Sequence, residues 1–230
     1  MKAYLCRGWK RTGKDTFFKD LTAKSRSYQW KIYSLPNKCI PFTEKEIIRV
    51  ALADELKRYT HKFLGLEDFG DPSTYDDVKD KKPVNQISKI TYNIPVDIDM
   101  IEIMPYLPKH EDATLRDWYI AIGDAYKKLI VPYYWCEKSL PNCDNPIFVT
   151  DYRFPLEKEF FDNCYDVSVI HLYRSDVKEP DFQIYSEHAL NGETADYLAV
   201  PNEDDFLKSV ERFPQYRDFV FNSEFPYGIH

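Results

Sequence analysis

The stretch MKAYLCRGWKRTGKDT, residues 1–16, decides the fold of this chain. A short apolar run, Ala3–Cys6, predicts a buried β-strand that breaks at a glycine. The segment Gly8–Lys14 then has the spacing G-x-x-x-x-G-K of a phosphate-binding loop. Glycines let the backbone turn sharply and approach an anion, and the N–H groups that open the next helix point at phosphates. We therefore expect a phosphate site between a first strand and a first helix.

Each residue of this loop is a candidate ligand of a nucleotide triphosphate. Lys14 is expected to lie along the β- and γ-phosphates as a point charge. Asp15 follows the lysine where a Ser or Thr is usual, and Thr16 comes one position later. The alternative is a basic surface turn whose lysines and arginine are solvated. The candidate phosphate-binding residues are Gly8, Lys10, Arg11, Thr12, Gly13, Lys14, Asp15 and Thr16.

The composition of the chain excludes several classes of protein. The 230 residues carry a net charge of -7, which argues against a nucleic-acid coat or a basic membrane-surface protein. No apolar run approaches the roughly 20 residues of a membrane-spanning helix. The five cysteines are scattered, without C-x-x-C pairs, and an odd number predicts free thiols in a reducing compartment. We expect a cytoplasmic protein with no nucleic-acid or membrane partner and no zinc site.

The rest of the chain alternates apolar strands with helical segments. This alternation predicts a single α/β domain over 1–230, with a mainly parallel five-stranded sheet flanked by helices. The predicted strands are 2–6, 47–52, 146–150, 167–173 and 196–200. Tyr28–Ser34 reads as a further strand or extended segment, and Thr114 is expected to cap a helix. Residues 57–135 are predicted to form an acceptor-binding helical region with an irregular insertion at about 68–112, and 175–193 to form a lid.

The combination of motifs favours a small-molecule kinase among proteins with such a loop. A switch-type GTPase needs N-K-x-D, whereas Asn37-Lys38 continues to Cys39-Ile40. A motor ATPase needs a strand that ends in an Asp-Glu pair, whereas the third predicted strand ends in Thr150–Arg153. Kinases need cations that hold two phosphorylated ligands end to end. The candidate cations are Arg11, Lys14, Lys57, Arg116, Arg153 and Arg174.

The chain resembles the deoxynucleoside monophosphate kinases of bacteriophages and large DNA viruses, whose branch includes animal-type phosphomevalonate kinase. Its loop is similar to the family pattern G-x-K-R-S-G-K-D-T, and four further landmarks follow in the family's order. The matching segments are Gly8–Thr16, Ala51–Lys57, Arg116–Gly123 with Trp135, Thr150–Arg153, and Ser186–Leu190 with Asp196 and Asn202. Lys127 and Lys128 depart from the pattern, because several relatives carry an arginine there.

The resemblance implies a P-loop NTPase fold and transfer of the ATP γ-phosphoryl group to a (deoxy)nucleoside 5′-monophosphate. ATP and Mg2+ are the implied cofactors, a (deoxy)nucleoside monophosphate the small-molecule partner, and a homodimer is possible. For a viral protein the location would be the host cytoplasm. In such kinases a spacer commonly separates the lysine from the threonine, so Asp15 is family-like and Thr16 would serve the β-phosphate and the metal.

The remaining site residues follow from the same resemblance, and three of them also have a structural alternative. Arg153 is expected to bind the acceptor phosphate, since a guanidinium grips phosphate in a bidentate manner. Arg116 and Lys57 would do likewise; the alternative for Arg116 is an ion pair with Asp112. Asp151 would orient metal-bound water or the acceptor, or instead cap the helix that starts at Pro155. Arg174 would close over the transferring group, or be a solvated strand end.

Two other functions stay open at this point. A kinase for another small phosphorylated substrate, such as phosphomevalonate, would differ only in the pocket that receives the acceptor. A nucleotide-binding module without turnover is the alternative from a different class of protein, although Lys14, Thr16 and Arg153 argue against it.

Overall fold

The chain folds into two compact units. The structure, a computed structural model, describes residues 1–22, 30–36, 38, 46–66, 71–87, 89–93, 95, 97–181 and 188–221. Unit 1 comprises Met1–Val50 and Pro141–His230, and unit 2 comprises Ala51–Leu140. The range 57–135, predicted to bind the acceptor, falls inside unit 2.

Unit 1 is built on a mixed, mostly parallel sheet. Its strands are β1 (Lys2–Arg7), β2 (Lys31–Ser34), β3 (Ile48–Val50), β4 (Ile147–Val149), β5 (Asp166–Leu172), β6 (Tyr197–Val200) and β7 (Val220–Phe221). They lie in the order β3-β4-β1-β5-β6-β2-β7. The first five strands of that order pair in parallel, and β2 and β7 add antiparallel pairs. The predicted α/β class with a mainly parallel sheet is confirmed, but the predicted count of five strands is wrong.

The position of β1 follows from its sequence. Residues Ala3–Cys6 are completely buried, as expected for a strand that pairs on both edges. β3 and β4 lie on one side of β1, and β5 and β6 lie on the other. The carboxyl end of β1 is therefore a topological switch point, which is where open α/β sheets bind ligands. Helices α1 (Lys14–Thr22), α7 (Pro155–Cys164) and α8 (Glu203–Arg212) also belong to this unit.

Unit 2 is helical with an aromatic core. Its helices are α2 (Leu52–Phe63), α3 (Val84–Ile87), α4 (Met100–Ile103), α5 (Leu115–Leu129) and α6 (Tyr134–Ser139). Thr114 caps α5 in a capping box with Asp117, which confirms the predicted start of that helix. The indole N–H of Trp135 donates to the carbonyl of Gly123 at 3.3 Å, and a Cβ on Gly123 would lie 3.1 Å from Leu56. The spaced glycine and tryptophan of the resemblance thus serve helix packing.

The described part of the chain carries no disulfide, and Cys6 is a fully buried core residue, as expected. Cys39 lies outside the described residues. Within the described ranges, no helix is both long enough and apolar enough to cross a membrane.

Unit 2 also buries a histidine. His61 is completely buried, and its Nε2 lies 2.6 Å from the hydroxyl of Tyr119. Its Nδ1 is buried and has no hydrogen-bond partner among the described residues. Burial, and secondarily the charge of Lys57, lowers the pKa of His61 from 6.5 to about 4. The imidazole is therefore neutral in the folded protein at neutral pH.

We expect His61 to make stability fall on acidification. Between pH 6.5 and about 4 the unfolded chain protonates this histidine and the folded chain does not. The free energy of unfolding should therefore fall by about 1.4 kcal/mol per pH unit for this one proton. In His61→Gln that contribution should vanish, and urea unfolding at a series of pH values measures the slope. Asn85→Ala, which replaces an exposed residue of the same unit without removing a titratable group, is the control and should keep the wild-type slope. An unchanged slope in His61→Gln would contradict the assignment.

Candidate functional site

The loop between β1 and α1 has an unusual backbone. Gly8, Arg11 and Gly13 have φ values of +146°, +73° and +90°, three of the five positive values in the described part of the chain. A Cβ on Gly8 would lie 2.7 Å from the carbonyl oxygen of Leu172. Gly8 therefore lets the loop run directly against the end of β5. Backbone turns of alternating hand gather N–H groups into a concave anion site.

Hydrogen bonds within the loop hold this shape. The ammonium group of Lys14 donates to the carbonyl oxygens of Gly8 at 2.7 Å and of Trp9 at 3.1 Å. Buried Thr12 donates its N–H and its hydroxyl to the same carbonyl of Trp9, at 3.2 and 2.9 Å. Thr12, predicted as a phosphate ligand, thus contributes a bond inside the loop. The lysine lies across the start of the loop.

Helix α1 begins directly after the loop. The N–H of Phe17 donates to the carbonyl of Gly13 at 2.8 Å, so the N–H groups of Asp15 and Thr16 precede the hydrogen-bond ladder of the helix. Such groups attract anions. The side chains of Asp15 and Thr16 are exposed, as are those of Lys10 and Arg11. Asp15 forms an ion pair with Arg49 of β3 at 2.8 Å.

The residues after β4 reach the same edge of the sheet. Arg153 lines a cleft with Gly8 and Trp9, so the structure brings this predicted cation next to the start of the loop. The carboxylate of Glu157 accepts from the N–H groups of Arg153 and Phe154, at 2.8 and 3.1 Å, and so caps α7. The alternative prediction that Asp151 caps this helix is wrong, because the cap position is Phe154.

Sequence reasoning missed Arg7, a buried arginine at the end of β1. Arg7 is only 3 % exposed and lines the same cleft. Its guanidinium donates to the carbonyls of Leu190 and Glu193 and, at 2.6 Å, to the hydroxyl of Tyr216. The sequence did offer one signal for Arg7. A basic residue stands there between a wholly apolar run and the first glycine of the loop. The predicted strand ended at residue 6, which left Arg7 out.

The predicted lid begins with an ion pair. Arg174 follows β5 and contacts the carboxylate of Asp176 with two nitrogens, at 3.0 and 2.6 Å. This pair lies within a single turn of the chain, so the arginine is held locally. Ser186 and Glu187 lie outside the described residues. Leu190 and Glu193, at the far end of the predicted lid, are the residues whose carbonyls bind Arg7.

Unit 2 contains the two remaining predicted cations, and each contacts a carboxylate. Lys57 lies 3.0 Å from Asp76, which also contacts Lys79 at 2.6 Å. Burial would raise the pKa of Asp76, but the hydrogen bonds from the two lysines hold it below its usual value. Arg116 forms a two-nitrogen ion pair with Asp80, so the predicted alternative partner of Arg116, Asp112, is wrong.

Two landmarks of the resemblance have structural roles. The carboxylate of Asp196 accepts from the N–H of Val169 at 2.7 Å and so joins β5 to the start of β6. Asn202 caps α8, since its side-chain oxygen accepts from the N–H of Asp205 at 2.9 Å. Both residues therefore shape the sheet edge and the helix that follows it.

Neither the protein-family models nor the curated proteins include a match to this chain. Among the described residues, no group of three or more His, Cys, Asp or Glu side chains is placed to hold a metal ion. A metal ion at this loop would therefore need other ligands, such as a side-chain hydroxyl and the oxygens of a bound phosphate.

The contact between Gly8 and Leu172 leads to a stability prediction. In Gly8→Ala the new Cβ would meet a backbone carbonyl at 2.7 Å and adopt a φ of +146°. We expect the free energy of unfolding to fall by about 1–3 kcal/mol, measured by urea unfolding. Gly192→Ala is the matched control, because its Cβ would have no neighbour within 4 Å. Equal stability of the two variants would show that the loop does not depend on this contact.

Proposed function

We propose that this protein transfers the γ-phosphoryl group of ATP to a (deoxy)nucleoside 5′-monophosphate and gives the diphosphate. The observation that carries the proposal is the loop Gly8–Lys14 at the switch point of the sheet. Its positive φ values, its two glycines and the lysine across it are what a triphosphate cradle requires. The proposal includes a P-loop NTPase fold of the nucleoside monophosphate kinase type and membership of the family that the sequence resembles.

The loop residues fit a bound triphosphate. Gly8 and Gly13 supply two of the positive φ values of the loop, and the N–H groups of Asp15 and Thr16 precede the hydrogen-bond ladder of α1, where helix N-termini attract anions. Lys14 would bind the β- and γ-phosphates, and the exposed hydroxyl of Thr16 would be a ligand of Mg2+. The metal ion, when bound, neutralises negative charge on the phosphates.

The acceptor side of the reaction rests on Arg153. Arg153 lines a cleft with Gly8 and Trp9 of the donor loop, and its guanidinium would bind the acceptor phosphate there, close to the donor phosphates. The acceptor phosphate is already ionised, so these residues need only bind, orient and exclude water. Arg174 would have to leave Asp176 to contact a phosphate, and Lys57 and Arg116 are likewise engaged with carboxylates.

Turnover tests the proposal directly. We expect ADP release from ATP when a panel of nucleoside and deoxynucleoside monophosphates is offered, and a loss of about 10²–10³ in turnover in Lys14→Ala. Lys19→Ala removes an exposed lysine from the same helix and should keep wild-type turnover. Thermal melting of both variants checks that they fold.

The same assay separates the alternatives. Activity with phosphomevalonate but with no nucleotide would identify the other kinase of this branch. Tight ATP binding without any acceptor activity would identify a binding module. Unchanged phosphoryl transfer in a folded Lys14→Ala variant would refute the assignment of the loop.

A further inference from the structure

A short helical turn in unit 2 carries two carboxylates on one side. The N–H of Lys79 donates to the carbonyl of Tyr75 at 2.9 Å, which is the hydrogen bond of an α-helical turn. Asp76 and Asp80 lie four positions apart in this segment, residues 75–80. Side chains at that spacing are neighbours on the same side of a helix. The turn therefore presents a pair of negative charges to one set of partners.

Both carboxylates contact cations, and two of these cations belong to other helices. Asp76 lies 3.0 Å from the ammonium nitrogen of Lys57, in α2, and 2.6 Å from that of Lys79. Asp80 accepts from two nitrogens of Arg116, in α5. A guanidinium binds a phosphate group with the same two-nitrogen geometry. The turn thus engages the two cations of unit 2 that the sequence predicts for the acceptor.

These contacts form one cluster beside the buried side chain of Tyr119. Burial raises the pKa of this tyrosine, the charge of Asp76 raises it further, and the charge of Arg116 opposes the rise. Asp80 acts in the same sense as Asp76. A charge shifts a pKa in this way when it lies close to the titrating group. The two carboxylates and Arg116 therefore share one place in the unit, and Lys57 joins them through its contact with Asp76.

The charges of this cluster suit a phosphate group. The side chains of Lys57 and Lys79 are only 17 % exposed, so both ammonium groups need a nearby anion. Asp76 and Asp80 supply two negative charges, and a phosphate monoester carries about 1.5 to 2 at neutral pH. Both members of the pair between Asp80 and Arg116 are exposed, and exposed ion pairs are weak. A phosphate can therefore replace both carboxylates with little change in the balance of charge.

We infer that Asp76 and Asp80 occupy the acceptor site in the free protein, and that a phosphate monoester must displace their carboxylates from Lys57 and Arg116 in order to bind. The contact is autoinhibitory, because each carboxylate competes with the ligand for a cation. The inference rests on the proposed function for the role of these two cations, and it adds a regulation of that site. Neither aspartate lies in a segment that carries the resemblance.

Titration with inorganic phosphate tests the competition without turnover. The side-chain Nε–H signal of Arg116 in the full chain reports binding by NMR and should shift to saturation. Asp76→Asn and Asp80→Asn should each lower the Kd for phosphate about threefold, and the double variant about tenfold, because each removes one weak competing ion pair. Asp77→Asn is the matched control. It removes the same charge from an exposed position of the same turn and should keep the wild-type Kd.

A rescue variant separates competition by the charge from a change of structure. Asp80→Glu keeps a carboxylate and should have a Kd close to that of the wild type, and thermal melting checks that every variant folds. If Asp80→Asn does not fold, the comparison of Asp76→Asn with Asp77→Asn carries the test. An unchanged or raised Kd in the folded Asn variants of residues 76 and 80 would overturn the inference. A double variant in which phosphate does not shift Arg116 would also overturn it.

The kinase assay distinguishes failure of this inference from failure of the proposed function. With an accepted nucleoside monophosphate, Asp76→Asn and Asp80→Asn should lower the KM for the acceptor about threefold and leave the KM for ATP unchanged. Turnover with an unchanged acceptor KM and an unchanged phosphate Kd would keep the proposed function and overturn the inference. Tighter phosphate binding in the variants, without turnover on any acceptor, would refute the proposed function and still support an anion site that the two aspartates occupy.

Discussion

The sheet edge that carries the candidate site in unit 1 depends on the parallel pairing of β1 with both β4 and β5. Parallel neighbours end at the same edge of a sheet, so the segments that follow these three strands converge there. This pairing is the reason that Arg7, the loop after it, Arg153 and His171 share a cleft although they are far apart in the chain. It also forces Gly8 against the carbonyl of Leu172, a contact that has no room for a side chain.

Charge at this edge is arranged in two layers. Arg7 and His171 lie buried at the strand ends, whereas Lys14, at the start of α1, and Arg153, after β4, are half-buried. The buried arginine compensates its desolvation with carbonyls and a tyrosine hydroxyl, so its positive charge is not cancelled by a carboxylate among the described residues. Arg174 differs, since Asp176 neutralises it within one turn.

Much of the fold was predictable because local patterns determine it. Strands β1, β4, β5 and β6 were predicted within about one residue of their ends, since each is a buried apolar run bounded by breaks. Of the two strands that add antiparallel pairs, β2 lies in Tyr28–Ser34, which was left open as a strand or an extended segment, and β7, only two residues long, was not predicted. So short an edge strand depends on a partner that is distant in sequence, and its own composition says little. Arg116 was given Asp112 as its alternative partner from sequence proximity, whereas its actual partner, Asp80, comes from tertiary packing.

The sequence by itself determined the strand–loop–helix unit at residues 2–22, the α/β class and the candidate cations. Glycine spacing, apolar runs and helix caps act over a few residues, so they can be read without the fold. Only the tertiary structure determined which of these cations line the same cleft. Arg7 lines the cleft at a point where β5 pairs with β1 and the carbonyls of Leu190 and Glu193 bind its guanidinium, and Arg153 lines the same cleft because β4 pairs beside β1. Those neighbours follow from long-range strand order, which no local pattern encodes.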